Sequence, residues 1–133
     1  MTERSLRSDI VRALRALDAC AVENPAGPGT PDINYIGGWI ELKVLDEWPI
    51  KEDTFLQIDH FTPQQRIWLD RRWRKGGAAF VLLKVAQDWL LLEAPLAVSL
   101  LGRAKRSDLL AAARRHWTRW EQVEDELPRC LKR

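Results

Sequence analysis

A chain of 133 residues, 46% of them apolar, is about one domain long and can bury a real core. No apolar run approaches the roughly 18 residues of a membrane span, and the amino terminus carries no leader pattern, so a cytoplasmic protein without a membrane partner is expected. The net charge of +2 is small but uneven: Arg66, Arg71, Arg72, Arg74 and Lys75 crowd one span, while Arg103, Lys105, Arg106, Arg114, Arg115 and Arg119 share another with Asp108 as the lone acid. Such runs fit either a polyanion or the solvated faces of Arg-rich helices. Cys20 and Cys130 form no CxxC pair, which points to neither a disulfide framework nor a zinc site and fits a reducing compartment.

Leu6, Ile10, Leu14 and Leu17 recur at spacings of three and four, which predicts an amphipathic helix over 2–18. Residues 19–24 read as a short strand and the Pro/Gly alternation of 25–31 as a loop. Gly37-Gly38 suits a two-residue hairpin turn, with a strand on either side. Residues 46–60 are polar, contain Trp48-Pro49, and read as a long excursion with a short edge strand at 55–58. Thr62-Pro63-Gln64-Gln65 combines an N-cap, a first-turn Pro and a capping-box Gln, so a helix is expected from there to about Lys75, stopped by Gly76-Gly77. Strands over 78–85 and 89–92 joined by a turn at Gln87-Asp88, a short helix over 95–101 and a longer one over 107–121 complete the chain. The resulting expectation is a single α/β domain over 1–133 with a mixed central β-sheet flanked by α-helices: a core over 1–92 and a carboxy-terminal helical extension over 95–133.

With Gly37-Gly38 as the turn, Asn34 is expected opposite Glu41 and Asp32 opposite Lys43. The period of two puts Asp32, Asn34, Glu41 and Lys43 on one face, and Ile33, Tyr35, Ile40, Leu42 and Val44 on the other. Two carboxylates a few ångströms apart repel, and a divalent cation is the usual relief. A lysine beside them can orient a water or stabilise charge growing on a phosphate. The competing explanation is a surface salt bridge on a solvated sheet face.

Pro31-Asp32, eight intervening residues and Glu41-Leu42-Lys43 together resemble the PD-(D/E)xK signature of the restriction-endonuclease-like nucleases. The stretches GTPDI, ELKV and TPQQRIWLDRRWRKGGAAFVLLKV resemble the small VRR-NUC branch, including stand-alone phage and bacterial versions akin to Holliday junction resolvases. The resemblance runs from the first helix to about Leu92, and the rest of the chain resembles no named family. It implies a restriction-endonuclease-like core, Mg²⁺ or Mn²⁺ as cofactor, and hydrolysis of DNA phosphodiesters by a metal-activated water to leave a 5′-phosphate. Carried over by position, Asp32 and Glu41 match the metal-binding carboxylates, the Leu42 carbonyl would be a further ligand, and Lys43 matches the catalytic lysine. Family members also place a Glu on the first helix; Glu3, on the inward stripe, is the first choice and Asp9 the second. Gln65 matches a Gln near the metal site, and its capping box explains it equally well. Branched double-stranded DNA is a better expectation than a specific sequence, because so short a chain leaves little room for a base-reading domain. The setting implied is DNA recombination or repair in a bacterial or phage-infected cell. The other class considered is a non-catalytic nucleic-acid-binding or interaction module that retains the fold.

Arg71, Arg72, Arg74, Lys75, Arg114 and Arg115 are the candidate phosphate contacts. His60 and His116 have no partner at a ligand spacing. Trp39, Trp68 and Trp89 are expected in the core, and Trp48, Trp73, Trp117 and Trp120 nearer the surface, where they would stack on bases or seal an interface. Leu109, Leu110, Ala113, Trp117 and Trp120 fall at helix-compatible spacings; this face is expected to join two copies as a homodimer, with Trp117 or Trp120 in or near the contact, the alternative being that it covers its own sheet.

Overall fold

In a computed structural model of the chain, which describes residues 2–23 and 27–133, one sheet of six strands runs in sequence order. The strands are β1 (Cys20–Ala21), β2 (Ile33–Tyr35), β3 (Gly38–Leu45), β4 (Ala78–Val85), β5 (Asp88–Glu93) and β6 (Arg115–Trp117). Neighbours are antiparallel except β3 and β4, which run parallel and are joined by a crossover through α2 (Pro63–Arg74). The sheet is therefore mixed, as expected. Asn24, Pro25 and Ala26, where the expected first strand meets the expected Pro/Gly loop, lie outside the described residues.

Each face of the sheet has its own core. On one, Leu6 and Ile10 of α1 (Glu3–Ala13), together with Leu14, are buried against Ile33, Ile40, Leu42, Phe80 and Leu82. Each such side chain contributes roughly 1.5–3 kcal/mol by leaving water. The same face receives Val123 of α5 (Trp120–Glu126). On the other, α2, α3 (Ala94–Leu100) and α4 (Arg106–Ala112) pack Trp68, Leu69, Ala97 and Leu109 against Val81, Leu83, Leu90 and Leu92. Among the described residues no helix is long and apolar enough to cross a membrane.

Local chemistry explains several boundaries. A capping box of Thr2 and Ser5 opens α1, which ends earlier than expected because Leu14 leads into a 3₁₀ turn, Arg15–Leu17. A spacing of three between Leu14 and Leu17 suits either helix type. No strand forms at 55–58; there the Leu56 N–H donates to the Ala104 carbonyl at 3.0 Å and Leu56 and Ile58 are buried. The β4–β5 turn is made by Ala86 and Gln87, with Ala86 left-handed at φ 53.

The first hairpin turns at Ile36-Gly37, not Gly37-Gly38: Gly38 already pairs with Tyr35. Gly38 is required by contact, since a Cβ there would lie 2.3 Å from the Ala78 carbonyl oxygen on β4. The register is consequently two residues from the expected one. A slip of two preserves every face but changes who stands opposite whom, so continuing the register places Asp32, just before β2, opposite Glu41 rather than Lys43.

The largest difference lies at 107–121. The helix stops at Ala112, Ala113 turns extended, the Arg114 N–H donates to the Leu91 carbonyl at 2.8 Å, and β6 pairs with the free edge of β5. An open strand edge carries unpaired N–H and C=O groups, and satisfying it outweighs the helical propensity of this segment. The region after residue 95 is thus mostly helical but interrupted between α4 and α5, where it supplies the sixth strand. Leu109 and Trp117 end up buried in opposite cores, and Trp120 packs on Trp89 with ring centroids 5.7 Å apart. The apolar stripe on which a homodimer contact was expected does not exist. Trp48 and Trp73 are likewise part-buried against the core instead of exposed.

Candidate active site

The middle of β3 delivers Glu41 and Lys43 to the α2 side of the sheet, where both side chains are only 2% exposed. Lys43 Nζ lies 2.9 Å from Glu41 Oε2, donates to the His60 carbonyl at 3.0 Å, and sits 5.7 Å from the Phe61 ring centroid. Gln65 Nε2 donates to the same Glu41 oxygen at 3.1 Å, while Gln65 Oε1 accepts from the Thr62 N–H at 3.0 Å. One end of the Gln65 amide thus completes the capping box while the other reaches Glu41. A buried ion pair often does no better than apolar residues of similar size, so this one is weak evidence of a purely structural role.

Asp32 is half-buried, and its Oδ2 accepts from the Leu42 N–H at 2.8 Å. Continuing the observed β2–β3 register puts Leu42 opposite Pro31, which has no N–H to donate. In a strand the N–H and C=O of one residue point to the same side, so the Leu42 carbonyl is left without a ladder donor on the side where Asp32 stands. Burial first, and the neighbouring Asp32 carboxylate second, raise the Glu41 pKa to about 8 against the opposing pull of Lys43.

Glu3, at the start of α1, lines a cavity of about 230 Å³ with Asp32, Arg4 and Arg7. Glu3 Oε2 is 2.7 Å from His60 Nε2, yet the approach lacks hydrogen-bond direction and Nε2 has no other partner among the described residues. Asp9 is not in this cavity; it pairs with Arg12 at 3.3 Å. Three features here escaped the sequence reading. The His60 carbonyl carries no sequence signal at all, the His60 ring reaches Glu3 only through the fold, and Arg7 was visible as a helical i+4 neighbour of Glu3.

Among the described residues no three His, Cys, Asp or Glu side chains converge into a closed metal cage. The geometry says why: Glu41 is turned to Lys43 and Gln65, and Glu3 to His60. The donors available are the Asp32 and Glu41 carboxylates and the Leu42 carbonyl, with Glu3 across the cavity. Hard oxygens in an open, incomplete set fit Mg²⁺ or Mn²⁺, because Mg²⁺ keeps waters and is held by one or two carboxylates plus substrate phosphates.

Of the basic residues, Arg71 and Arg72 border a groove of about 470 Å³ next to this site. Arg74 pairs with Asp70 at 2.9 Å, and Lys75 caps the end of α2. Arg114 is no free phosphate contact: its guanidinium holds Glu93 at 2.6 Å, donates to the Cys130 and Lys132 carbonyls, and lies over Phe80. Arg115 is exposed and donates to the Arg114 carbonyl at 2.8 Å. His116 is bound to Asp88 at 2.6 Å, far in sequence from any candidate ligand.

No protein-family model matches the chain, and no curated protein sequence does. Among solved structures it is similar to Hjc, a Holliday junction resolvase from the archaeal hyperthermophile Archaeoglobus fulgidus, at 16% identity and a TM-score of 0.47 over 82% of this chain and 91% of that one. Similarity at this level assigns no activity.

Proposed function

We propose that this chain is a divalent-cation-dependent DNA endonuclease of the PD-(D/E)xK kind, hydrolysing phosphodiester bonds with a preference for branched duplexes. The observation that carries the reading is the buried Glu41 beside Asp32, a repelling carboxylate pair that the fold holds in place and that Lys43, 2.9 Å from Glu41, offsets only in part. Asp32, Glu41 and the Leu42 carbonyl would hold Mg²⁺ or Mn²⁺, with Glu3 joining once it leaves His60. The bound cation would supply charge neutralisation and an activated water.

The chain's own groups do the rest. The Leu42 N–H orients Asp32, and Gln65 fixes the Glu41 carboxylate. Lys43, tethered by the His60 carbonyl, provides a fixed positive charge for the phosphate as negative charge grows on it. Arg4 and Arg7 flank the cavity and attract the phosphodiester. A 5′-phosphate product and a role in recombination or repair belong to the same proposal. So does a homodimer, since cutting two opposed strands calls for two sites.

The test is a cleavage assay over linear, nicked, flapped and four-way DNA with Mg²⁺, Mn²⁺ or EDTA, alongside light scattering. Metal-dependent cutting, strongest on the branched forms and lost in Lys43→Ala, is expected. DNA binding with no cutting under any metal would return the chain to a non-catalytic binding module.

A further inference from the structure

On α2, Gln64, Ile67, Trp68, Arg71 and Arg72 recur at spacings of three, one, three and one, which places them on a single stripe. That stripe borders the groove of about 470 Å³, whose far wall is built from Gly27, Pro28 and Thr30. The groove is anchored to the candidate active site at both walls. Thr30 lies two residues before Asp32, Gln64 immediately precedes Gln65, and Gly29, at φ +84, packs so close that a Cβ would meet the Gln64 carbonyl oxygen at 2.3 Å.

Among the described residues the lining is cationic and carries no carboxylate. Arg71 and Arg72 form no ion pair among the described residues. Arg72 is held with its guanidinium 4.4 Å from the Trp68 ring centroid and 5.5 Å from that of Trp39, and it also borders a second hollow of about 280 Å³ beside Asn34 and Trp39. Trp68 is only 7% exposed and already stacked by Arg72, so its face is not free for a base. Ile67 is different. It is 62% exposed, a β-branched apolar side chain standing out among charged and polar neighbours on a solvent-facing helix position.

A protein partner would meet too little apolar surface here, because one isoleucine does not make an interface core. A polyanion matches two guanidinium groups whose charge no carboxylate among the described residues meets. To enter a continuously stacked duplex an apolar wedge must first unstack a base step, which costs a few kcal/mol, whereas an interrupted stack is already open to it. We propose that Ile67 is a wedge that enters the interrupted base stack of a DNA branch point whose phosphates are held by Arg71 and Arg72. This deepens the nuclease reading by naming the feature of the substrate that is read, and it rests on that reading only for the cleavage step, not for binding.

The experiment is performed without cleavage, in EDTA and again in Ca²⁺. 2-Aminopurine is placed at the branch point of a four-way junction and at the matching position of a linear duplex, and affinity and fluorescence are followed for the wild type, Ile67→Ala, Ile67→Leu and Arg71→Ala. The wild type is expected to raise 2-aminopurine fluorescence on the junction. Ile67→Ala should abolish that rise and lower the junction preference, the ratio of the two affinities, by about tenfold. Ile67→Leu should restore both, and Arg71→Ala should weaken binding to the two DNAs alike and reduce the salt slope by about one. An unaltered fluorescence response in Ile67→Ala, an unchanged preference, or no DNA binding by the wild type would each overturn the wedge. Because nothing is cut in this assay, a protein that shows the wedge signature yet never cleaves with Mg²⁺ or Mn²⁺ loses the nuclease reading alone. One that cleaves normally but keeps its junction preference in Ile67→Ala loses only the wedge.

Discussion

Glu41 and Asp88 are buried carboxylates on the same face of one sheet, and the fold treats them in opposite ways. Burial pushes both toward the protonated form. For Asp88 that push is overcome: Oδ1 faces His116 Nε2 at 2.6 Å, and Oδ2 accepts from Trp48 Nε1 at 2.7 Å and Arg106 Nη2 at 3.2 Å. Those hydrogen bonds, with the charges of His116 and Arg106, hold its pKa below the ordinary carboxylate range. For Glu41 the neighbouring Asp32 adds to the push, and Lys43 does not cancel it. Burial by itself therefore says little about function. What separates the two is whether the fold meets the charge. Asp88 ties together the 46–60 excursion, α4 and β6, and nothing is left over; Glu41 keeps a repulsion that a cation would relieve.

The contrast is broken most forcefully by removing each cluster in turn. Asp32→Ala and Lys43→Ala should each lower metal-dependent cleavage by about 10³-fold, with circular dichroism unchanged. Wild-type rates in Lys43→Ala would remove it from the chemistry. Asp88→Asn should leave the rate per folded molecule unaltered.

Stability should reverse that ranking. Asp88→Asn loses hydrogen bonds made to a charged carboxylate and is expected to cost about 2 kcal/mol in urea unfolding at neutral pH. Because the folded-state pKa is depressed, the stabilisation is present at neutral pH and is lost as pH falls through the lowered value. A cost indistinguishable from zero would mean that the three-segment tie is not what holds this end of the sheet.

The smallest effect concerns one proton. The unfolded Glu41 ionises near 4.5 and the folded one near 8, so across that window the folded state binds the extra proton and the contribution of Glu41 to stability is lost as pH rises. In the cation-free protein, Glu41→Gln should flatten this slope and raise stability above pH 8. Titrating Mn²⁺ at pH 7 in two buffers of different ionisation enthalpy should show release of about one proton, falling toward zero in Glu41→Gln. Equal release from both proteins would show that Glu41 is already ionised.

Much of the site was legible because it depends on short-range periodicity. Alternation put Glu41 and Lys43 on one face, and that survived a two-residue error in register, while Asp32 turned to the Leu42 N–H beside them. The Leu6-Ile10-Leu14 stripe and the Thr62–Gln65 box are likewise read from spacings within a turn or two of helix, so residues near in sequence suffice to specify them. Tertiary structure alone decided which partners those residues meet. It chose the hairpin register through the contact between Gly38 and Ala78, and set Leu42 opposite a proline. It brought the His60 carbonyl to Lys43 and the His60 ring to Glu3. It also turned 115–117 from an expected helix into a strand and committed Arg114 to Glu93. In each of these cases the deciding energy is a contact between segments distant in the chain, such as an unpaired strand edge or a buried charge that needs a donor, and no local pattern encodes which distant segment will supply it.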